Sequence, residues 1–251
     1  MYIQRREKIL TALQDSPSLS IRDLSSDLNV SEMTIRRDLV KMEAEGIVQR
    51  YFGGVRKSDA PLFEQSTSVR ASFMMSAKRR IAAKAASLVS DGDSVILDCG
   101  TTVLELSRLL VNRPVTIATS YLLIPAIASQ NTATIHLSGG EYYDQYKIMI
   151  GRTAEEFYEG INCRFAFLSA AGIHVKRGIT EYTKDEAALK KVMLDHSKIG
   201  VLLMDSSKFG EIQMFRAFDT RKIDMLITDR RPSDSYMKYL DQNHVEVVVA
   251  D

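Results

Sequence analysis

Seven short apolar runs, at 94 to 97, 115 to 118, 132 to 137, 165 to 169, 198 to 204, 223 to 228 and 244 to 249, constrain this 251-residue chain more than any other feature. Most are short apolar runs rather than alternating ones, and they are separated by segments with helical spacing. Strands of that kind are buried on both faces, and helices between them supply the crossovers of a mainly parallel sheet. A helix predicted over 77 to 90, through Ile81, Ala85 and Leu88, leads in. Another, through Val103, Leu104, Leu106 and Leu110, follows the first strand.

In such a sheet, ligands bind outside the carboxyl ends of the strands. The residues expected there are Asp98-Cys99-Gly100-Thr101-Thr102, Thr119-Ser120, Ser138-Gly139-Gly140, Ser169-Ala170-Ala171-Gly172 and Asp205-Ser206-Ser207-Lys208. Small and hydroxylated residues let backbone N–H groups approach an anion. Thr101 and Thr102 open a helix whose positive dipole end faces the site, as a phosphate requires. Asp98 can accept from sugar hydroxyls, and Lys190 and Lys208 offer point charges. The bland alternatives stay open: Gly100-Thr101-Thr102 serves equally as a tight βα turn, and Glu186 with Lys190 as an i,i+4 surface pair. Cys99 reads as a small packed residue rather than a nucleophile.

Residues 1 to 57 follow a different pattern. Ile9, Leu10 and Leu13 stripe a first helix whose other side carries Arg5, Arg6 and Lys8. After the polar break Asp15 to Ser18, Ser20-Ile21-Arg22-Asp23 caps a second helix, with Ile21, Leu24 and Leu28 behind it and its end near Asn29. Asn29-Val30 forms a tight corner, and Ser31 caps a third helix running toward Gly46, a plausible C-cap. On that helix Ile35, Leu39 and Met42 make one buried stripe. Thr34, Arg37 and Lys41, flanked by Met33 and Arg36, turn outward with donors for base edges and phosphates. Then 47 to 52, Gly53-Gly54 and Val55-Arg56-Lys57 read as a hairpin turning on two glycines, with Arg50, Arg56 and Lys57 as a basic wing. Helix-turn-helix plus wing is the expected unit. Its bland counterpart is a protein-contact module with solvated arginines.

Charge excludes a bulk polycation. Net charge is +1, and residues 1 to 56 hold nine Lys/Arg against eight Asp/Glu, so any DNA contact must come from sorting charge between faces. With 45% apolar and 26% charged residues, no apolar run of bilayer length and no signal segment, a globular cytoplasmic protein is expected. Cys99 and Cys163 are expected as reduced thiols. The four histidines lack ligand spacing, and neither metal nor cofactor is predicted. Residues 58 to 76 lack a sustained period and read as a linker that packs through Leu62, Phe63, Phe73, Met74 and Met75.

The capped second helix, the Val30-Ser31 corner, Thr34-Ile35-Arg36-Arg37-Asp38-Leu39 and Gly53-Gly54 resemble the DNA-binding domain of the DeoR family of bacterial regulators, over about residues 3 to 56. Tyr51-Phe52 departs from it, since the family often has a histidine before the two glycines. Lys78 before a helix, Leu97-Asp98, Gly100-Thr101-Thr102, Gly139-Gly140, Ser169 to Gly172, Lys190 and Asp205 to Phe209 resemble the family's sensor domain, itself similar to sugar-phosphate isomerases and CoA transferases. Ser76-Ala77, where the family often has a glutamate, and Ala188, where it often has a carboxylate, depart from the pattern. The resemblance implies an N-terminal winged helix-turn-helix domain over 1 to 57, a linker over 58 to 76 and an α/β effector-sensing domain over 77 to 251.

It also implies a homo-oligomeric regulator, a repressor of a sugar or nucleoside operon, that leaves operator DNA when a sugar phosphate binds without turnover. The expected DNA contacts are Ser31, Met33, Thr34, Arg36, Arg37, Lys41, Arg50 and Arg56. The expected effector contacts are Asp98, Gly100, Thr101, Thr102, Ser120, Gly139, Gly140, Ser169, Gly172, Lys190 and Lys208. The loops at 98 to 102 and 169 to 175, with 234 to 239, are most similar to repressors of deoxyribonucleoside operons, which makes deoxyribose-5-phosphate the leading effector. The competing expectation is a sugar-phosphate isomerase fused to a DNA-binding module, with Asp98, Glu186 or Asp205 as acid or base and Lys190 or Lys208 on the enolate oxygen.

Overall fold

The computed structural model describes residues 2–44, 48–57, 71, 73–129 and 132–251. It divides into two compact units, Met1–Ser76 and Ala77–Asp251. Gly46, Ile47 and most of the stretch read as linker, including Leu62 and Phe63, lie outside the described residues, as does the Lys57 side chain.

In the first unit, α1 (Tyr2–Asp15), α2 (Ile21–Asp27) and α3 (Glu32–Ala44) bury Ile9, Leu10, Leu13, Ile21, Leu24, Ile35, Leu39 and Met42 against one another. The Ser20 hydroxyl accepts from Asp23 N at 3.0 Å, and α2 stops where Asn29 takes a φ of +49°. That left-handed residue makes the corner into α3. Arg5 and Arg6 do not form the solvated face expected of α1. Arg6 is buried, and Arg5 Nε donates to the buried Asp38 of α3 at 2.6 Å. The break after α1 is itself a strand, β1 (Ser18–Ser20), which pairs with β3 (Gly54–Lys57); β3 in turn pairs with β2 (Val48–Tyr51). Because Tyr51 pairs with Gly54, the two turn residues are Phe52 and Gly53, not the two glycines. Gly53 supplies the left-handed conformation at φ +85°.

The second unit is built on seven parallel strands in the order β15 (Glu246–Val249), β14 (Met225–Thr228), β12 (Ser197–Leu203), β9 (Cys163–Leu168), β4 (Ser94–Leu97), β5 (Thr116–Thr119), β6 (Thr134–Leu137). Alternate residues of each strand serve opposite faces. Val95, Leu97, Phe165, Phe167, Val201 and Leu203 pack with α4 (Met75–Ala86), α5 (Thr101–Leu110) and α6 (Leu123–Ile127). Ile96, Ala166, Leu168, Leu202 and Leu226 pack with α7 (Arg152–Glu159), α8 (Lys184–Asp195) and α9 (Asp234–Gln242). The helix expected over 77 to 90 spans Met75–Ala86, which places Lys78 inside it and buried rather than before it.

Two antiparallel additions had no counterpart in the sequence pattern. One is the hairpin β7 (Glu141–Tyr143) and β8 (Ile148–Ile150); the other is the sheet β10 (Gly172–His174), β11 (Gly178–Glu181), β13 (Phe215–Phe218). Chain direction across the large sheet reverses at β4 and β9: β5 and β6 extend it one way, β12, β14 and β15 the other. That adjacency is its switch point, beyond whose strand ends sheets of this kind bind their ligands.

Candidate functional sites on the two units

On α3, Ile35, Leu39 and Met42 face the core while Met33, Arg36, Arg37 and Lys41 are exposed and Thr34 is half-exposed. Ser31 caps the helix through Thr34 N at 3.3 Å, and its hydroxyl lies 3.0 Å from that of Thr34. The cations differ in commitment. Arg36 Nη2 lies 3.4 Å from Glu32, and Lys41 Nζ stands 5.1 Å from the centre of the Tyr2 ring. Arg37 has no ion pair among the described residues.

The wing is less free than its composition suggests. Arg50 gives its guanidinium Nε to Glu43 Oε2 at 2.6 Å and its amide to Oε1 at 2.9 Å, and the amide first, then the guanidinium, holds Glu43 below the usual carboxylate range. Arg56 Nε and Nη2 donate to Gln49 Oε1 at 2.9 and 2.6 Å. Arg50 is thus internally neutralised, contrary to its reading as a free cation of a basic wing.

At the switch point of the second unit, the loops after β4 and β9 are locked together. Ser169 N donates to Asp98 Oδ2 at 3.0 Å, and Ser169 Oγ to Cys99 O at 2.9 Å. Gly100 is the N-cap of α5 at φ +150°, a conformation that L side chains rarely adopt, and a Cβ there would run into Ser169 Oγ. No side chain caps α5, so its first-turn amides, at Thr101 and the buried Thr102, end the helix without a side-chain acceptor. The neighbouring α8, by contrast, is capped by Thr183, whose hydroxyl accepts from Glu186 N at 3.2 Å and donates to Glu186 Oε2 at 2.9 Å.

Beneath these loops lies a buried charge cluster. Lys190 Nζ donates to Asp98 Oδ2 and lies 3.5 Å from Glu181 Oε1; Cys99 Sγ sits 3.7 Å from Glu186 Oε1. All of these residues are buried. Burial pushes the Lys190 ammonium down, but Asp98 and Glu181 together hold it well above its ordinary value. Glu181 goes the other way, pushed up to about 8 by burial, with Lys190 opposing and Glu186 and Asp98 adding to the rise. Burial and then Asp98 push the Cys99 thiol well up, which leaves it no nucleophile; Cys99 and Cys163 are both free.

The expected effector residues therefore separate. Asp98, Gly100, Thr101, Thr102, Ser169 and Lys190 come together at the switch point, although Asp98 and Lys190 spend their charge on each other and not on an exposed surface. Nor are Glu186 and Lys190 the surface pair that their spacing allowed. Ser120 is buried in a hydroxyl network with Ser138 at 2.9 Å and Tyr158 at 3.0 Å. Gly139 and Gly140 are exposed, and Gly140 lies against Ile150 O and the start of α7. Gly172 opens β10 under Glu211. Lys208 ends the short turn 206–208, whose amides are occupied: Ser206 N by Asp229 at 2.6 Å, Ser207 N by Asp205 at 3.1 Å. Glu181 is absent from the expected site residues, because Gly178-Ile179-Thr180-Glu181 carries a single aliphatic residue and does not read as a strand. Glu186 and Lys190 carried a signal, since they share the i, i+4, i+7 stripe that ends on the buried Met193.

A winged helix-turn-helix unit joined to a parallel α/β domain with such a switch point defines a class of DNA-binding transcription regulators that pair a reading head with a separate α/β domain. Comparison with known proteins narrows it. Residues 5–60 match the DeoR-like helix-turn-helix domain and residues 74–230 the DeoR C terminal sensor domain, and the chain belongs to the DeoR family of transcriptional regulators.

Similar proteins over nearly the whole length include the HTH-type transcriptional repressor GlcR of Bacillus subtilis, 30% identical across 99% of this chain and 96% of that protein. The lactose phosphotransferase system repressor of Staphylococcus epidermidis is 30% identical across 97% and 98%. The L-fucose operon activator of Haemophilus influenzae is 28% identical across 98% and 99%. Among solved structures, ribose 5-phosphate isomerase A of Methanocaldococcus jannaschii aligns over 54% of this chain and 55% of that one, at 17% identity and a TM-score of 0.41. These full-length relatives are named as regulators, and the chain is a regulator rather than the isomerase of the competing expectation. Among the described residues no helix is long and apolar enough to cross a membrane.

Proposed function

We propose that the chain represses a sugar or nucleoside catabolic operon as a homo-oligomer, docking paired α3 helices in the major groove of operator DNA and releasing them when a sugar phosphate binds at the switch point. In this reading Arg37, Lys41 and Thr34 read base edges, and Arg36 takes a phosphate once it leaves Glu32. Met33 meets a thymine methyl, while Ser31 and Arg56 contact the backbone. Thr101 and Thr102 offer their amides to the effector phosphate, and Ser169 borders the same space. Asp98 and Lys190 act beneath it, fixing the two loops, so effector contact with them runs through loop position. Deoxyribose-5-phosphate is the leading effector.

The observation that carries the sensor half is the α5 N-terminus, left without a side-chain cap at the switch point. Calorimetry with deoxyribose-5-phosphate, other sugar phosphates and unphosphorylated deoxyribose tests it. Wild type binds a phosphorylated sugar and not the free one. Thr101→Glu sets a carboxylate where the phosphate would sit, which suits a helix N-terminus and leaves the fold intact, yet abolishes binding. Undiminished binding by that variant rejects the site. For the DNA half, band shifts with Arg37→Ala lose operator affinity by roughly 10-fold or more, equivalent to ~1–3 kcal/mol, and unchanged affinity rejects the assignment.

A further inference from the structure

Phe52 stands at the tip of the wing with its whole side chain in solvent, 104% exposed, beyond any other large apolar residue described; Met214, next, is 85% exposed. The tip that carries it is rigid. Gly53 O accepts from Ile21 N at 3.0 Å, which ties the turn to the first residue of α2, and both flanking strands pair through Gly54, with Tyr51 on one side and Ser20 on the other. The Tyr51 ring folds back over Gly54, where a Cβ would strike its hydroxyl, so it anchors the hairpin and leaves Phe52 projecting alone.

An aromatic ring in water at a fixed point of the backbone forfeits its burial energy in the free protein and recovers it only against a partner. We infer that Phe52 is an apolar wedge that enters the minor groove of the operator beside the α3 footprint and pries apart a base step there, so that the wing reads DNA deformability rather than base edges. The inference rests on the DNA-binding reading above. Three features favour DNA over a second copy of the chain. The tip is a point, one ring with the half-exposed Tyr51 behind it, far from the ~800 Å² per partner that a stable dimer buries. The same unit presents Arg36, Arg37, Lys41 and Arg56 at its surface, the charge that draws a polyanion to it. And a phenyl ring offers no donor to a phosphate, so its place on DNA is among bases and sugars, where wedges of Phe, Leu or Met lower the cost of a kink at flexible pyrimidine–purine steps.

The test uses the full-length chain and a duplex selected by the wild type from random-sequence DNA. Selection of no duplex overturns the DNA-binding reading itself and leaves the wedge with no role. With a selected duplex, Phe52→Ala binds roughly ten-fold or more weaker, its log affinity keeping the wild-type slope against log salt, because no phosphate contact is lost. Phe52→Leu retains most of the affinity. 2-Aminopurine placed at successive steps flanking the α3 footprint brightens on binding of wild type, but not of Phe52→Ala. Equal affinity of Phe52→Ala, an altered salt slope, or 2-aminopurine that stays dark with wild type overturns the wedge. So does a Phe52→Ala chain whose sedimentation reports a changed oligomer while its affinity for a single half-site is intact, which would assign the ring to a second copy. As the side chain stands fully in solvent, circular dichroism melts of the variants coincide with wild type.

Discussion

Lys190 pairs with the buried Asp98 and lies beside the buried Glu181, and its removal takes that ammonium away from both. Lys190→Met accordingly costs about 3–5 kcal/mol, read as a fall in urea midpoint, and adding Asp98→Asn recovers part of it. A double variant no better than the single would show that the pair is not what holds the loops. Glu181 makes the same cluster pH-dependent. Its folded-state value, about 8, lies above its ordinary 4.5, so between those values the folded chain holds a proton that the unfolded chain has released. Stability contributed by this group is therefore full below the ordinary value and falls as pH rises toward 8, by at most ~1.4 kcal/mol per pH unit. Urea melts at pH 6 and 8.5 should show wild type weakening and Glu181→Gln weakening less; parallel losses would reject the assignment. Little of this was legible in the sequence. Spacing on one helix shows that Glu186 and Lys190 are neighbours, but whether that neighbourhood faces water or a sheet depends on the strand it packs against, and β11 did not announce itself.

Elements were legible in proportion to how continuously they are buried. Inner parallel strands such as β4, β9 and β12 are sandwiched between helices and read as mainly apolar runs, whereas the edge strand β6 is largely exposed and alternates Thr134 and His136 with Ile135 and Leu137; the expected ranges differ from the observed strands by no more than two residues at either end. The strands β1, β7, β8, β10, β11 and β13 are three or four residues long, and all but Ile148-Met149-Ile150 mix polar with apolar positions, as at Ser18-Leu19-Ser20 and Gly178-Ile179-Thr180-Glu181. Their pairing is fixed by tertiary neighbours, which no local pattern encodes. The side-chain caps at Ser20 and Ser31 were legible, whereas that at Thr183 was not. Ser20→Ala removes the acceptor for Asp23 N and lowers stability by about 1 kcal/mol in thermal denaturation. Thr183→Ala removes an acceptor for Glu186 N and a donor to a buried carboxylate, so its cost exceeds that of Ser20→Ala; an equal or smaller shift would mean that Glu186 does not depend on that hydroxyl. The α5 terminus is the converse case. Gly-Thr-Thr suits a turn or an anion cradle equally, and only the absence of a side-chain cap beside Ser169 distinguishes this helix start from that of α8.

At the scale of the whole molecule, the near-neutral first unit sets the terms. With nine cationic against eight anionic side chains in residues 1 to 56, and Arg5 and Arg50 already engaged with Asp38 and Glu43, one copy of α3 brings few uncommitted charges to a phosphate backbone. In the proposed function affinity comes from two copies held together, and the spacing between their half-sites follows the helical repeat of DNA, 10–10.5 base pairs or a multiple. Inserting about 5 base pairs between half-sites turns them to opposite faces of the duplex and should abolish tight binding, whereas a full-turn insertion of about 10 base pairs restores part of it; binding indifferent to both would mean that a single copy suffices. The same pairing defines what the second unit must do. A sugar phosphate alters operator affinity only as far as it binds the two arrangements of the pair unequally, and the coupling is reciprocal. If saturating effector weakens operator binding by some factor, saturating operator must weaken effector binding by the same factor. Calorimetric titration of the sugar phosphate with and without bound duplex measures that factor directly. An effector affinity that ignores the duplex, beside a band shift that responds to effector, would place the responding ligand somewhere other than the loops after β4 and β9.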